Sequence, residues 1–112
     1  MDCIFCKISE GEIPSNKVYE DEFCLAFHDI NPQTPIHVLV IPKKHISSAD
    51  DIDLTNSEYV AKIFEAIPTI AAKAGLVNGY RIISNCGEDA CQTVKHLHFH
   101  IMGGKKLPEN MG

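Results

Sequence analysis

The stretch His96-Leu97-His98-Phe99-His100-Ile101-Met102 alternates three histidines with apolar residues. A period of two predicts a half-buried β-strand, because successive side chains of a strand point to opposite faces. We expect the apolar residues to face a core and the histidines to share the other face. At ~3.3 Å per residue, the outer two imidazoles of a flat strand lie about 13 Å apart. Since zinc binds nitrogen at ~2.0–2.1 Å, one ion cannot hold all three rings, and at least one histidine serves another purpose.

The composition is that of one small globular domain. The chain has 112 residues, of which 45% are hydrophobic and 22% charged. We therefore predict a single domain over residues 1–112, with a tail at 105–112 that is flexible or associated with a dimer. The net charge of −5 argues against a nucleic-acid polymer or an anionic membrane as the partner, but not against a mononucleotide.

Neither a membrane span nor an export signal is predicted. No apolar run approaches the ~20 residues that cross a bilayer. The first residues, Met1-Asp2-Cys3-Ile4-Phe5, lack the basic and apolar regions of a signal peptide. We expect a cytoplasmic protein. In that reducing compartment five cysteines favour metal binding or free thiols over disulfides, and the odd count agrees.

The hydrophobic periodicity predicts an α+β fold. A short N-terminal helix is expected around Cys3-x-x-Cys6, and one main helix is expected from Thr55 or Asn56 to Gly75, with Pro68 kinking or splitting it. Strands are predicted at 18–19, 23–28, 36–41, 80–85 and 96–102. The links between most strands are short, which permits antiparallel pairing, so we predict an antiparallel sheet of about five strands.

Several stretches together match one known family. Residues 96–102 fit the pattern His-φ-His-φ-His-φ-φ, and further matches lie at 27–32, 37–45, 79–81, 85 and 92–94. The chain resembles the histidine triad (HIT) family from Cys3 to about Gly104, and in particular its branch of nucleotide-binding proteins that act as purine nucleoside phosphoramidases. The resemblance implies an antiparallel sheet carrying a main helix, and a homodimer joined through that helix and the Tyr80 strand.

The resemblance implies that His98 attacks the α-phosphorus of a nucleoside phosphoramidate or a related ester. A nucleotidyl-histidine intermediate forms and water hydrolyses it. A neutral imidazole suits this role because its pKa lies close to 7, provided that one ring nitrogen keeps its proton and is held by an acceptor such as a backbone carbonyl. By resemblance, His100 donates to a phosphate oxygen, His37 supports the cluster, and Gln92 and Thr93 lie at the phosphate or the leaving group.

The resemblance also implies a nucleotide pocket. Asp29 matches the acid that binds ribose, whose carboxylate can accept from both hydroxyls. Its alternative is an ordinary turn residue before Asn31-Pro32. The other residues expected to contact the nucleotide are Ile4, Phe5, Ile8, Ile13, Phe27, Ile30 and Asn85. For the apolar members of this set, plain core packing is the alternative.

A second site follows from the resemblance to zinc-bearing members of the superfamily. Cys3, Cys6, His45 and His96 match their Cys-x-x-Cys…His…His set. Two thiolates and two imidazoles suit tetrahedral zinc, and four protein ligands would make the ion structural rather than catalytic. The alternatives are a redox pair, for which no βαβ context exists, and a reduced pair without a ligand.

Three other functions remain as alternatives to a phosphoramidase. They are a dinucleoside polyphosphate hydrolase of the same superfamily, a non-catalytic module that binds a nucleotide or a protein partner, and metal storage. The chain also departs from its relatives, since Cys91 stands where many have a small glycine. Its tail lacks the tryptophan-bearing end that, by resemblance, tunes substrate choice, so the sequence leaves the preferred leaving group open.

Overall fold

In the computed structural model, which describes residues 3–111, five strands form one antiparallel sheet. Its order is β1-β2-β3-β5-β4, where the strands are β1 (Lys17–Glu20), β2 (Cys24–His28), β3 (Ile36–Pro42), β4 (Arg81–Ile83) and β5 (Phe99–Gly103). Helix α1 (Ile4–Ser9) precedes the sheet, and helix α2 (Ser57–Ala74) lies between β3 and β4 in the chain. The predicted α+β fold is confirmed.

The sheet separates two apolar clusters. Alternate residues of β3 point to opposite faces, so Val38 and Val40 join the cluster under α2 while Leu39 and Ile41 join the cluster under α1. Each fully buried aliphatic side chain contributes roughly 1.5–3 kcal/mol. The buried face of α2 consists of Ile63, Ala66, Ile67, Ile70 and Ala71. The cluster under α1 consists of Phe5, Ile8, Leu25, Phe27, Leu39 and Ile41.

The histidine stretch keeps its predicted faces but not its predicted strand. Leu97, Phe99 and Ile101 all lie in the cluster under α2, as expected. Strand β5, however, begins at Phe99, so the prediction of a strand over 96–102 is wrong for its first three residues. The Leu97 N–H donates to the carbonyl of Ile46, which lies beyond the end of β3. The regular hydrogen-bond pairing between β3 and β5 therefore ends at Phe99 and does not include His98.

Pro68 does not split the main helix, so the splitting alternative of the prediction is wrong. Helix α2 runs without interruption from Ser57 to Ala74 and is followed by Gly75, the predicted residue, in the left-handed conformation. Pro68 is exposed, and the burial of the opposite face outweighs the roughly 3 kcal/mol that an internal proline costs. Asn56 precedes the helix without capping it, because its side chain bonds Asp51 and Asp53 instead.

Other strand boundaries also differ from those predicted. The strand expected at 23–28 begins at Cys24, and the strand expected at 80–85 is shortened to Arg81–Ile83.

Helix α2 is amphipathic, with Glu65 and Lys73 exposed opposite its apolar face. Among residues 3–111, no helix is both long enough and apolar enough to cross a bilayer.

Candidate active site and metal centre

His98 lies in the irregular segment just before β5, and its side chain is buried. Its Nδ1 is 2.6 Å from the carbonyl oxygen of His96. Because a carbonyl only accepts, Nδ1 carries the ring proton and donates it, and Nε2 of the neutral ring keeps its lone pair. The Ser84 hydroxyl donates to the His98 carbonyl at 2.9 Å and holds the backbone at this position. The arrangement is that of a nucleophile or base whose orientation is fixed.

The tautomers of His37 and His100 are set by one backbone group. The Gln33 N–H donates to Nδ1 of His37 at 3.0 Å, so the proton of the neutral His37 ring is on Nε2. That Nε2 lies 2.9 Å from Nδ1 of His100, which must accept. The proton of His100 is therefore on Nε2, and His100 is a hydrogen-bond donor rather than a base.

Burial keeps both of these rings neutral. It lowers the pKa of His37, although the Asp29 carboxylate, 3.4 Å from Nε2, acts in the opposite direction. Burial, reinforced by the neighbouring His98 and His37 rings, lowers the pKa of His100 to about 4, again against the effect of Asp29. Near pH 7 the His37–His100 pair is therefore uncharged, in agreement with the tautomers that the hydrogen bonds require.

Acidification is expected to destabilise the folded protein through His100. The pKa of His100 is about 4 in the folded state, whereas an unfolded histidine titrates at roughly 6.5. Between these values the unfolded state binds more protons, so the free energy of unfolding falls as the pH decreases from roughly 6.5 to 4. His100→Asn removes this titration, and urea unfolding at a series of pH values should show a shallower dependence than in the wild type. Equal slopes for the two proteins would contradict the prediction.

The histidines border a cavity of about 260 Å³ between α1 and the sheet. The structure brings nine of the predicted site residues together in its lining: Ile4, Phe5, Ile8, Phe27, Asp29, Ile30, Thr93, His98 and His100. Phe5 contacts the His98 ring edge to face, with the ring centroids 5.1 Å apart. Most of the cavity wall is apolar, and its polar lining residues include Asp29, Thr93, His98 and His100.

Asp29 makes a turn contact and also lines the cavity. One carboxylate oxygen, Oδ1, accepts the Asn31 N–H at 2.9 Å, which is the ordinary turn role. The other oxygen, Oδ2, lies 3.4 Å from Nε2 of His37. Since the residue also lines the cavity, its carboxylate remains available to a ligand hydroxyl.

Four predicted residues do not line this cavity. His37 lies behind His100, and Ile13 packs against the cluster under α1. Asn85 lies outside the lining as well. Gln92 is buried, its Nε2 donates to the carbonyls of Ser47 and Val94, and its Oε1 accepts the Gly87 N–H. The Gln92 amide thus closes the 86–92 loop and has no hydrogen left for a phosphate.

Sequence reasoning missed other residues of the site. Leu39, Val94 and Asn16 line the cavity, and Ser84 anchors the His98 backbone. Leu39 carried a usable signal, because the period of β3 places it on the same face as His37. Ser84 and Asn16 carried none, since a serine and an asparagine near strand ends are ordinary in any domain.

Cys3, Cys6, His45 and His96 converge beside the active site. Nδ1 of His96 lies 3.2 Å from Sγ of Cys3, 3.5 Å from Sγ of Cys6 and 3.2 Å from Nδ1 of His45. Nδ1 of His45 is also 3.2 Å from Sγ of Cys6, and the four ligand atoms all lie within 4.8 Å of one another. Tetrahedral zinc, with bonds of ~2.0–2.1 Å to nitrogen and ~2.3 Å to sulfur, requires ligand separations of about 3.3–3.8 Å. The donor set and its spacing fit zinc.

The tautomer of His96 also fits a metal. Its Nε2 is 3.0 Å from the carbonyl oxygen of Pro42 and must donate to it, which leaves the Nδ1 lone pair directed at the two thiols and His45. Burial, and to a smaller extent the hydrogen bond to Cys3, raises the pKa of the Cys6 thiol to about 11. A bound dication reverses such a shift by stabilising the thiolate.

Asp29, His37 and His100 form a second cluster of possible ligand atoms. It does not suit a metal, because the Gln33 N–H occupies Nδ1 of His37 and so requires a proton on Nε2, the atom that faces the cluster. A metal ligand needs a free lone pair there. This cluster is therefore a hydrogen-bond chain.

A five-stranded antiparallel sheet with a main helix on one face and buried histidines on the other defines a protein of the histidine triad class. The HIT domain model matches residues 10–107. A histidine triad protein from Clostridium difficile superposes with a TM-score of 0.93 at 54% identity, over 99% of this chain and 97% of its own. A HIT family hydrolase from Legionella pneumophila Philadelphia 1 also superposes with a TM-score of 0.93, at 43% identity, over 99% of this chain and 100% of its own.

A sequence relative agrees with the structures. An uncharacterized 13.2 kDa HIT-like protein of Azospirillum brasilense is 51% identical over 106 residues, which span 93% of this chain and 87% of the relative. The chain belongs to the HIT family.

Proposed function

We propose that this protein hydrolyses purine nucleoside 5′-phosphoramidates, or related nucleotidyl bonds, through a nucleotidyl intermediate on His98. The observation that carries the proposal is the 2.6 Å hydrogen bond from Nδ1 of His98 to the His96 carbonyl. Because Nδ1 carries the ring proton, the lone pair of the neutral ring is on Nε2, and this ring borders the cavity. The family also supports hydrolysis, because its solved members include proteins described as HIT family hydrolases.

The reaction would proceed in two displacements. Nε2 of His98 forms a bond to the α-phosphorus while the P–N bond breaks, and the leaving nitrogen keeps the electron pair and takes up a proton from solvent. Water then attacks phosphorus, the electron pair of the P–Nε2 bond returns to His98, and the proton of the water goes to solvent. Dividing one difficult substitution into two is the advantage of a covalent intermediate.

The charge on the phosphoryl oxygens requires donors that are fixed in advance. Nε2–H of His100 is such a donor, because the Gln33–His37 chain orients it and burial keeps the ring neutral. Thr93 lines the same cavity and would add a hydroxyl. Gln92 would act indirectly by holding the loop, rather than by touching phosphate as the resemblance implies.

The remainder of the cavity suits a nucleoside. Its apolar walls, which include Phe5, Ile8 and Phe27, provide flat surfaces for a base. The Asp29 carboxylate contacts the Asn31 N–H and lies 3.4 Å from Nε2 of His37, and its remaining lone pairs would accept from the ribose hydroxyls. The cavity of about 260 Å³ is open enough to admit part of the nucleotide from solvent.

We also propose that Cys3, Cys6, His45 and His96 hold a structural zinc ion. With four protein ligands its coordination shell is complete, so the ion would supply stability and no chemistry in the reaction. It would tie Cys3 and helix α1, which carries Ile4 and Phe5 of the cavity, to the backbone next to His98.

A homodimer is the proposed assembly. Strand β4 is an edge of the sheet, and unpaired strand edges favour association. Exposed apolar residues adjoin that edge on the α2 side: Phe64, which contacts Phe99, and Ile82 of β4. The molar mass in solution tests this assembly.

The substrate class is tested by giving the wild-type protein an adenosine phosphoramidate and a diadenosine polyphosphate in separate assays. We expect a larger kcat/KM for the phosphoramidate. The reverse order would identify a dinucleoside polyphosphate hydrolase. Binding of AMP without turnover of either compound would identify a binding module and reject the enzymatic proposal.

A further inference from the structure

Residues 14–16, which belong to the connection between helix α1 and strand β1, line the nucleotide cavity with two polar side chains. These side chains are Ser15 and Asn16, and neither belongs to the histidine cluster or to the metal centre. The residues so far placed at the base, such as Ile8 and Phe27, are apolar and offer no hydrogen bond. Ser15 and Asn16 therefore add a chemistry that the rest of the base pocket lacks.

The sheet register puts this segment at the opposite end of the cavity from the histidines. His100 on β5 pairs with Leu39 on β3, which pairs with Phe27 on β2. Phe27 in turn pairs with Lys17, the first residue of β1. Neighbouring strands lie ~4.7–4.9 Å apart, so about 14 Å separate His100 from Lys17. That span is comparable to the length of a nucleoside monophosphate, so a nucleotide with its phosphorus at the histidines extends its base toward the residues just before Lys17.

One backbone hydrogen bond fixes the segment against the sheet. The His28 N–H donates to the carbonyl of Asn16 at 2.9 Å. His28 is the last residue of β2 and immediately precedes Asp29, the carboxylate proposed to bind ribose. The same strand end therefore positions both the 14–16 segment and the ribose carboxylate.

The hydroxyl of Ser15 is buried and has no hydrogen-bond partner. Among the side chains of residues 3–111 that are not exposed, no other has a buried oxygen or nitrogen in this condition. A buried hydroxyl without a partner costs free energy, and native proteins keep few of them. Ser15 as a whole is only partly buried and lines the cavity, so rotation about its Cα–Cβ bond offers the hydroxyl to a ligand. A group that the chain leaves unsatisfied gains a full hydrogen bond when a ligand supplies the partner.

The amide of Asn16 is exposed and also has no partner in the described part of the chain. Its Oδ1 accepts and its Nδ2 donates, side by side. Adenine presents a donor, the 6-amino group, next to an acceptor, which is N7 on one edge and N1 on the other, and this is the complement of an amide. Guanine and hypoxanthine present two acceptors on the N7 edge, so they match an amide on the other edge alone.

We propose that Ser15 and Asn16 bind the edge of the base, and that they select adenine. Asn16 bonds the 6-amino group and the neighbouring ring nitrogen, and Ser15 turns its hydroxyl into the cavity to bond the same edge. The inference rests on the proposed function and names the base within the purine class. The apolar walls distinguish shape only, so these two hydrogen-bonding groups determine which purine is preferred.

The test compares the binding of AMP with that of purine riboside 5′-monophosphate, which lacks only the 6-amino group. Titration calorimetry gives both Kd values and requires no turnover. Loss of this group removes a hydrogen bond and leaves its protein partner unpaired, so we expect the wild type to bind AMP ~10-fold more tightly. Asn16→Leu should bring the ratio of the two Kd values close to one, and Ser15→Ala should reduce it part of the way. A ratio that persists in both variants would overturn the inference.

Ser15→Ala has a second readout that does not depend on binding. Because the hydroxyl has no partner within the chain, its removal should leave Tm unchanged or raise it. A serine that is needed for the fold predicts the opposite result. A clearly lower Tm would therefore overturn the assignment of this hydroxyl to the base.

The matched control is Asn78→Leu, which removes an exposed amide just before β4, at the edge of the sheet opposite β1. It should leave the ratio unchanged. Equal Kd values for the two nucleotides in the wild type would overturn the inference while the proposed function stands. Binding of neither nucleotide would instead contradict the proposed function. IMP has an oxygen in place of the amino group, and binding of IMP as tight as that of AMP would overturn the choice of adenine.

Discussion

His98→Asn is expected to lose phosphoramidate turnover by at least ~10³-fold, which is the usual consequence of removing a nucleophile. Asparagine is close in shape to the proximal part of the ring, and its amide can still donate to the His96 carbonyl that now holds Nδ1. The backbone at this position, held by Ser84, should therefore stay in place. Steady-state kinetics measures the loss, and rapid quenching followed by mass spectrometry should detect a nucleotidyl adduct in the wild type and none in the variant.

Binding of AMP is the control for this variant. The walls proposed to hold the base and the ribose, which include Phe5, Ile8, Phe27 and Asp29, are unchanged in this variant, so AMP should still bind. His100→Asn provides the contrast, because removing a donor slows adduct formation without removing the atom that carries the adduct. Wild-type rates in His98→Asn, or an adduct on another residue, would reject the assignment of the nucleophile.

The second large effect is expected at the metal centre. After expression with sufficient metal, the wild type should contain about one zinc ion per chain, because the four donors form one closed site. The double variant Cys3→Ser/Cys6→Ser should contain none. A tightly held ion stabilises by several kcal/mol, so we expect the loss to lower Tm by about 10 °C or more. Elemental analysis and thermal unfolding measure the two effects.

Serine is a suitable replacement because its hydroxyl can still accept the Cys6 N–H at the start of α1, as the Cys3 thiol does at 3.4 Å. The matched control is Cys91→Ser, which alters an exposed thiol outside the cluster and should retain both zinc and Tm. A wild type free of zinc, or equal zinc contents in the two serine variants, would remove the proposed metal site.

Periodicity predicted the faces of the elements better than their ends. The side to which Leu97, Phe99 and Ile101 point follows from the alternation alone, because polarity decides it. The start of β5 at Phe99 does not follow from it, since the preceding backbone is held by Ile46, a contact between residues 51 positions apart. Pro68 illustrates the same limit, because tertiary packing of α2 overrides a local preference.

The candidate site was predicted more fully in its members than in its internal contacts. Nine predicted residues line the cavity, and four others converge on the metal centre. The functional state of each ring depends instead on which nitrogen bears the proton, and this is decided by the carbonyls of His96 and Pro42 and by the N–H of Gln33. Backbone groups are the same in every residue, so the sequence carries no trace of these assignments.

His96 belongs to two sites at once. Its imidazole lies among the thiols, while its own main-chain oxygen, a few bonds away, is the acceptor that fixes the ring of His98. Any event that displaces this imidazole, such as oxidation of a neighbouring sulfur, therefore also shifts the acceptor on which the attacking nitrogen depends. Damage at the thiols would then slow the chemistry without altering any group that touches the substrate.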